Sequence, residues 1–453
     1  MIIAYGKRKP AKKQMNQLNQ RKKEKLLFIY PLLVILTPIY NLPGLPPLRL
    51  DDLYLLAFGT IAIANGALSY MLKSLSSRTL FIFFLWATFS FSINTLRFDQ
   101  GLWQGISPLL VIVRLLLIGM LVNWVIKGSN SGENTLKGVY RAVLIGACIS
   151  AAIYLLQVYR VPGLGLILTG IYSGFGEKYI GGYFTGGGLF RAPGTMGNPN
   201  FQASLMAVTF LCGWSLARRS KVTLKNTCIF IGIGSLMLVA LLATGSRTGL
   251  AATLAGVAGF EALLLLRSGL KIKTLFFAIT LSCLVFVLVS MDTPLSRVTS
   301  RAIEVLNLQE ESLVDKIEQS RGLVWRYSLN RIDSEDLWLF GSGVEPDFVI
   351  DSGYIRNIYQ YGIVGLAIVC FLYILIGRML VRKKFGHLSE SHIGGLCLVF
   401  VCIIIEFTFG IIWTAKLGPI VLYLFFWNDG LLSKQSFYQS APRMRGSEIP
   451  RYN

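Results

Sequence analysis

The sequence predicts an all-α integral membrane protein of about twelve transmembrane helices with one large extracytoplasmic loop. Three observations carry this. The 453 residues are 53% hydrophobic and 15% charged, with a mean hydropathy of +0.58, where a soluble domain carries about 25% charge. Apolar runs of membrane length, roughly 17 to 25 residues, recur along the chain with Lys or Arg at their borders. The Lys and Arg residues of the short loops gather on alternate connections, the bias of cytoplasmic loops.

In chain order, residues 1–25 form a basic tail in which nine Lys and Arg precede Leu26. The first apolar run is interrupted by Pro31 and Pro38 and no cleavage site follows, so it reads as a span rather than a signal peptide. The expected spans are 26–40, 50–71, 79–94, 108–126, 138–158, 197–217, 226–243, 248–266, 272–291, 357–378, 393–412 and 417–431. This divides the chain into a basic cytoplasmic tail (1–25), nine helices (26–291), a large outer loop (292–356), three more helices (357–431) and a second cytoplasmic tail (432–453). With the amino-terminal tail inside, the short inner loops hold Lys73 and Arg78, Lys127 and Lys137, Arg218 to Lys225, Arg267 to Lys273, and Arg382 to Lys384. An even number of spans returns the carboxyl-terminal tail to the same side.

The net charge of +21 follows from these loops and suits anionic headgroups; no groove-reading or base-stacking motif points to nucleic acid. All seven cysteines lie in or beside apolar runs with no CxxC spacing, so neither a disulfide framework nor a zinc site is expected. No phosphate-binding glycine loop, acidic metal pair or Ser-His-Asp order is present, so no cofactor and no metal are expected.

Two outer segments are long. Residues 159–197 are rich in glycine and aromatics, and 292–356 is the longest polar stretch between apolar runs. Both carry arginines that run against the inside-positive bias and so call for another reason. Three motifs stand out. The first is RAPGTMGNPN, from Arg191 to Asn200, where Asn198 and Pro199 open a helix and leave N–H groups beside an arginine, an arrangement suited to anions; an ordinary loop turn is the competing reading. The second is TGSRTG, from Thr244 to Gly249, which places Arg247 at a membrane boundary, where a charge costs a few kcal/mol unless paired or hydrated; snorkelling is its alternative. The third is spread over the large loop: SRGLVWR with Arg321, Trp325 and Arg326, then GSG at 341–343, then Asp351-Ser352-Gly353-Tyr354. Asp351 is either a reactive carboxylate or a helix cap. Arginine forks bind phosphate bidentately without titrating, which suits a substrate whose phosphates sit at headgroup depth.

The order RAPGTMGNPN, TGSRTGL, then SRGLVW, GSGV, DSGY and NIYQYGIVGL, with Arg49-Leu50-Asp51-Asp52-Leu53 and Arg114 earlier, resembles the O-antigen ligase/polymerase superfamily from about Arg49 to Leu431. The resemblance implies a metal-independent, inverting glycosyltransferase of the GT-C-like type in the bacterial cytoplasmic membrane. Its substrates would be undecaprenyl-diphosphate-linked glycans, as donor and acceptor, met on the extracytoplasmic face, and a chain-length regulator is a partner the resemblance admits. Arg247 and Arg321 match the arginines that engage the donor diphosphate. Ligases of the family place a histidine just before the span after the loop. Here that position falls to Asp351 and no outer segment holds a histidine, so the chain looks more like a Wzy-type repeat-unit polymerase. In that reading Arg247, Arg321 and Asp351 are catalytic, with Asp351 as base, and Arg191, Asn198, Asn200, Trp325, Arg326 and Tyr354 bind substrate. The alternatives are a ligase delivering the glycan to a terminal acceptor and, in another class, a transporter or flippase of lipid-linked glycan. For the flippase, the acidic residues inside spans are Glu261 and Glu406; Glu406 is expected to pair, with Arg114 as one partner, or to mark an ion path.

Overall fold

The computed structural model describes residues 9–38, 49–98, 102–128, 132–173, 177–185, 190–220, 223–268, 323–344, 350, 352–381, 390–406, 414 and 416–440. Over these residues the chain is helical. The helices are α1 (Lys9–Leu36), α2 (Leu50–Ala64), α3 (Leu75–Phe98), α4 (Leu102–Gly128), α5 (Gly132–Val158), α6 (Leu164–Ser173), α7 (Glu177–Thr185), α8 (Pro199–Arg219), α9 (Leu224–Ala243), α10 (Arg247–Ser268), α11 (Leu323–Ser334), α12 (Gly353–Val381), α13 (Glu390–Glu406) and α14 (Leu417–Ser440).

Six described helices are long and apolar enough to cross a membrane: α3, α4, α5, α9, α10 and α12. Three shorter apolar helices, at Leu164–Ser173, Ile393–Glu406 and Leu417–Asn428, join them. The protein is therefore a multi-pass membrane protein. The expected span at 272–291 lies outside the described residues. The expected span at 50–71 stops early: α2 ends at Ala64, because Asn65 and the left-handed Gly66 (φ 79°) turn the chain into a short 3-10 segment, Ala67–Tyr70. The Gly-rich segment is not a plain loop but folds into α6 and α7.

Two helices form the centre. α8 is buried from Gln202 to Arg218, and α14 is buried from Leu417 to Asn428, so each is surrounded by protein. α9 lies outside, showing Ile229 and Ile231 to its surroundings. Small residues let the central helices approach. A Cβ on Gly249 of α10 would stand 2.7 Å from the Ala203 Cβ of α8, and one on Gly256 would stand 2.5 Å from Val401 of α13. Between apolar helices in lipid, such close backbone contact supplies the packing that hydrophobicity cannot.

α8 and α10 run side by side in the same direction, and α13 runs against them, since Gly394 meets Ser215 near the end of α8. The first turns of α8 and α10 therefore share one end of the bundle with the last turn of α13. Tyr354, in the first turn of α12, donates its hydroxyl to the Ile403 carbonyl at 3.1 Å, which brings the start of α12 to that end as well.

α12 is two helices joined at Gly362, whose φ of 69° and ψ of −176° break the turn. Polar groups freed by the break are taken up from outside. Ser342 and Gly343 donate backbone N–H groups to the carbonyls of Tyr359 and Gln360 at 2.6 and 2.8 Å. Trp86 of α3 donates to Tyr361, and Ile363 donates to Trp338, at 2.8 and 2.7 Å. Asn94 of α3 donates to the Gly341 carbonyl at 2.6 Å. The GSG turn of the large loop is thus bonded into the bundle. A small second core of Ile332, Leu337, Ile350 and Tyr359 fixes α11 to the outer half of α12.

At the opposite end, Glu261 accepts from Arg218 Nε and Trp214 Nε1, each at 2.8 Å. Glu261 is an ion-paired structural residue. Glu406 accepts the Tyr373 hydroxyl at 2.9 Å, while Arg114 pairs with Asp52 at 2.5 Å, which corrects the expected pairing of Glu406 with Arg114.

Candidate functional site

The RAPGTMGNPN and TGSRTG motifs meet. Arg191 donates from Nε to the Thr244 carbonyl at 3.1 Å and from its terminal nitrogen to Asn200 Oδ1 at 3.0 Å. One guanidinium therefore joins the end of α9 to the first turn of α8. Asn198 caps α8: its side chain accepts the Asn200 N–H at 2.8 Å, and Pro199 occupies the first helical position. The cap satisfies one of the free N–H groups of the helix start and fixes the entry of the chain.

The second motif is a tight connection. Thr244 ends α9, left-handed Gly245 (φ 65°) reverses the chain, and Ser246 accepts the Gly249 N–H at 3.3 Å to begin α10. Arg247 is then the first helical residue. It is exposed, and among the described residues it makes no hydrogen bond or ion pair. Two helix starts and two arginine positions thus meet, one arginine engaged in holding the turns and the other without a bond among the described residues. Helix N-termini add partial positive charge to such a place. Tyr179 of α7 feels the Arg191 charge, which opposes the rise in the phenol's pKa that burial causes.

The turn between Arg191 and Asn198 is held by a buried polar network. Ser150 of α5 and Thr195 share a hydroxyl contact of 2.6 Å, Gln202 of α8 donates to Ser150 at 2.9 Å, and Gln157 of α5 accepts the Gly194 N–H at 3.0 Å. Lys416, the residue before α14, donates its ammonium to the Thr195 carbonyl. Further along, Arg49 pairs with Asp51, and Arg114 with Asp52, at the start of α2. Lys416 was missed in the sequence because a single lysine beside an apolar run reads as a headgroup contact; Arg49, Arg114, Asp51 and Asp52 were visible, but not their pairing.

The remaining expected residues are distributed as follows. Trp325 is half-buried and Arg326 exposed on α11, which packs on the outer half of α12 near Tyr354. Arg321 and Asp351 lie outside the described residues. The capping position at the start of α12 belongs to Ser352, whose hydroxyl is 3.5 Å from the Ile355 N–H. Arg331, one of the arginines out of keeping with the charge bias, pairs with Glu335 at 2.6 Å within its own helix and turn. Among the described residues no group of three or more His, Cys, Asp or Glu converges as a metal site.

Residues 232–370 match a family model, Wzy_C, described as O-Antigen ligase. The match runs from within α9 through α10 and the large loop into α12, and so includes Arg247, Arg321, Trp325, Arg326, Asp351 and Tyr354 but not the Arg191 turn or Lys416. No curated protein matches the chain.

Proposed function

From a chain that carries a domain of the Wzy_C O-antigen ligase family over residues 232–370, we propose a polymerase that joins undecaprenyl-diphosphate-linked oligosaccharide repeat units into a surface polysaccharide. The observation that supports it best is Arg247, an exposed cation without an ion-pair partner among the described residues, set at a helix start and beside a turn that Arg191 holds. A cation in that place suits an anion at the membrane surface, and a prenyl diphosphate supplies one.

The reaction is a single displacement with inversion. The acceptor sugar's hydroxyl oxygen attacks the anomeric carbon of the donor, the bond from that carbon to the diphosphate oxygen breaks, and the diphosphate leaves with the electron pair. Arg247 and Arg321 meet the charge that develops on the departing diphosphate, the largest catalytic contribution available to a site of this kind. Asp351 takes the hydroxyl proton. Because Ser352 holds the capping position of α12, the carboxylate before it is not needed as a cap. Asn198 and Asn200 hold the turn, and Trp325, Arg326 and Tyr354 line the approach of the sugars. Arginines, not a metal ion, answer the diphosphate charge in this reading, and the site faces the extracytoplasmic side with both termini in the cytoplasm.

The test is the glycan ladder of a deletion strain complemented with wild type, Arg247→Ala or Asp351→Ala. Wild type restores the ladder, and Arg247→Ala collapses it to one repeat while the protein stays in the membrane. A full ladder from Arg247→Ala would refute its role. Full ladders without the protein that fail to reach their terminal acceptor would make the protein a ligase.

A further inference from the structure

Lys416 is a basic side chain where a charge is costly. It is 3% exposed, it precedes a helix buried along its first twelve residues, Leu417 to Asn428, and the charges acting on it are those of Arg49 and Asp51 of α2. An ionisable side chain so placed in a membrane protein marks function unless an ion pair accounts for it. Asp51 is bonded bidentately to Arg49, so the pair is already neutral before Lys416 is counted. What Lys416 does hold is a backbone carbonyl, that of Thr195, with the Tyr172 ring 5.6 Å from its nitrogen.

Thr195 lies midway between Arg191 and the Asn198 cap. Its hydroxyl is held by Ser150 and its preceding N–H, that of Gly194, by Gln157. Gly194 is left-handed (φ 63°), and a Cβ there would meet Gln202 Oε1 at 2.5 Å, so the turn has no room to relax towards the network. Lys416 closes the remaining side from just before a helix buried over its first twelve residues.

We propose that Lys416 is a positioning residue of the transfer site: through the Thr195 carbonyl it fixes the turn that aims Arg191 at Thr244 and Asn200 and so sets the place of Arg247. This rests on the glycosyl-transfer reading above. Displacing a reacting-site turn by a fraction of an ångström to one ångström lowers turnover by about 10- to 100-fold, and the loss must pass through Arg191.

The experiment uses full-length protein in lipid nanodiscs with a synthetic prenyl-diphosphate-linked oligosaccharide as both donor and acceptor. Elongation kcat and KM are measured for wild type, Lys416→Met, Arg191→Ala and the double variant, each checked for thermal unfolding. The inference expects Lys416→Met to lose about tenfold or more in kcat with its melting temperature near wild type, and to lose nothing further in the Arg191→Ala background. Multiplying losses in the double variant would overturn it, as would wild-type turnover by Lys416→Met. Should Lys416→Met fail to accumulate, Lys416→Ala, which likewise has no donor for the Thr195 carbonyl, takes its place with the same expected loss. Failure of both to fold would also overturn the assignment, making Lys416 a residue of folding alone. Arg247→Ala in the same assay separates the two readings: if it turns over like wild type, the transfer site itself is wrong, whereas its collapse beside an unaffected Lys416→Met refutes only the role of Lys416.

Discussion

Arg191 and Arg247 sit within one turn of each other's motif and have different duties. Arg191 needs the shape of its guanidinium, because one nitrogen reaches the Thr244 carbonyl while another reaches Asn200. A lysine offers a point charge and does not span both. Arg247 is exposed and engages no described partner, so charge counts for more than shape. Elongation rates should therefore split: Arg191→Lys loses about tenfold, one hydrogen bond to a charged group or so, and Arg247→Lys retains more activity than Arg191→Lys. The reverse order in a purified elongation assay would mean that Arg247 binds bidentately and Arg191 merely carries charge. Both arginines were legible in the sequence because glycines, prolines and asparagines around them announce turns. Lys416 was not, since its acceptor is a backbone carbonyl more than two hundred positions away and a carbonyl leaves no mark in a sequence.

Among the elements, α12 departs furthest from expectation. Apart from Gln360 the run from Ile358 to Ile376 is apolar and reads as one unbroken span; glycines in such a run are ordinary. The break at Gly362 becomes visible only with its partners, the 338–343 segment and Trp86. A side chain at Gly362 would collide with the Leu339 carbonyl, and its backbone lies in a region nearly closed to other residues. Gly362→Ala should thus cost about 2–3 kcal/mol from strain together with overpacking, read as a lowered melting temperature in detergent. Gly377→Ala, where a Cβ meets nothing within 4 Å, is the control and should be neutral or slightly stabilising, since alanine is the better helix former. Equal melting temperatures for the two would show that the GSG turn does not clamp α12. The GSG turn was legible from its glycines; that the turn is bonded to, and α11 packed on, the outer half of a broken span was beyond any local pattern.

At the scale of the molecule, the two ends of the bundle differ in kind. One gathers the starts of α8, α10 and α12 with Arg191, Arg247 and Tyr354. The other carries Glu261 bound to Arg218 and Trp214, Arg219 over the Tyr140 ring and Lys23 over the Trp124 ring. Glu261→Gln belongs to this second end and should leave elongation unchanged while lowering stability by about 1–3 kcal/mol, the cost of a weakened half-buried charge pair. The separation gives the charge bias a structural meaning, because among the described basic residues Arg218, Arg219 and Lys23 share the end away from the site. On the proposed reading the Arg247 end lies on the extracytoplasmic side, and labelling tests it. Asn330 on α11 and Lys22 on α1 are both exposed and lie towards opposite ends. In spheroplasts treated with a membrane-impermeant maleimide, Asn330→Cys should label at once and Lys22→Cys only after permeabilisation. The opposite result would put the arginines in the cytoplasm, where a polymer bound for the cell surface cannot be assembled without a further export step. Labelling of both from outside would break the even count of crossings on which the shared side of the two termini depends.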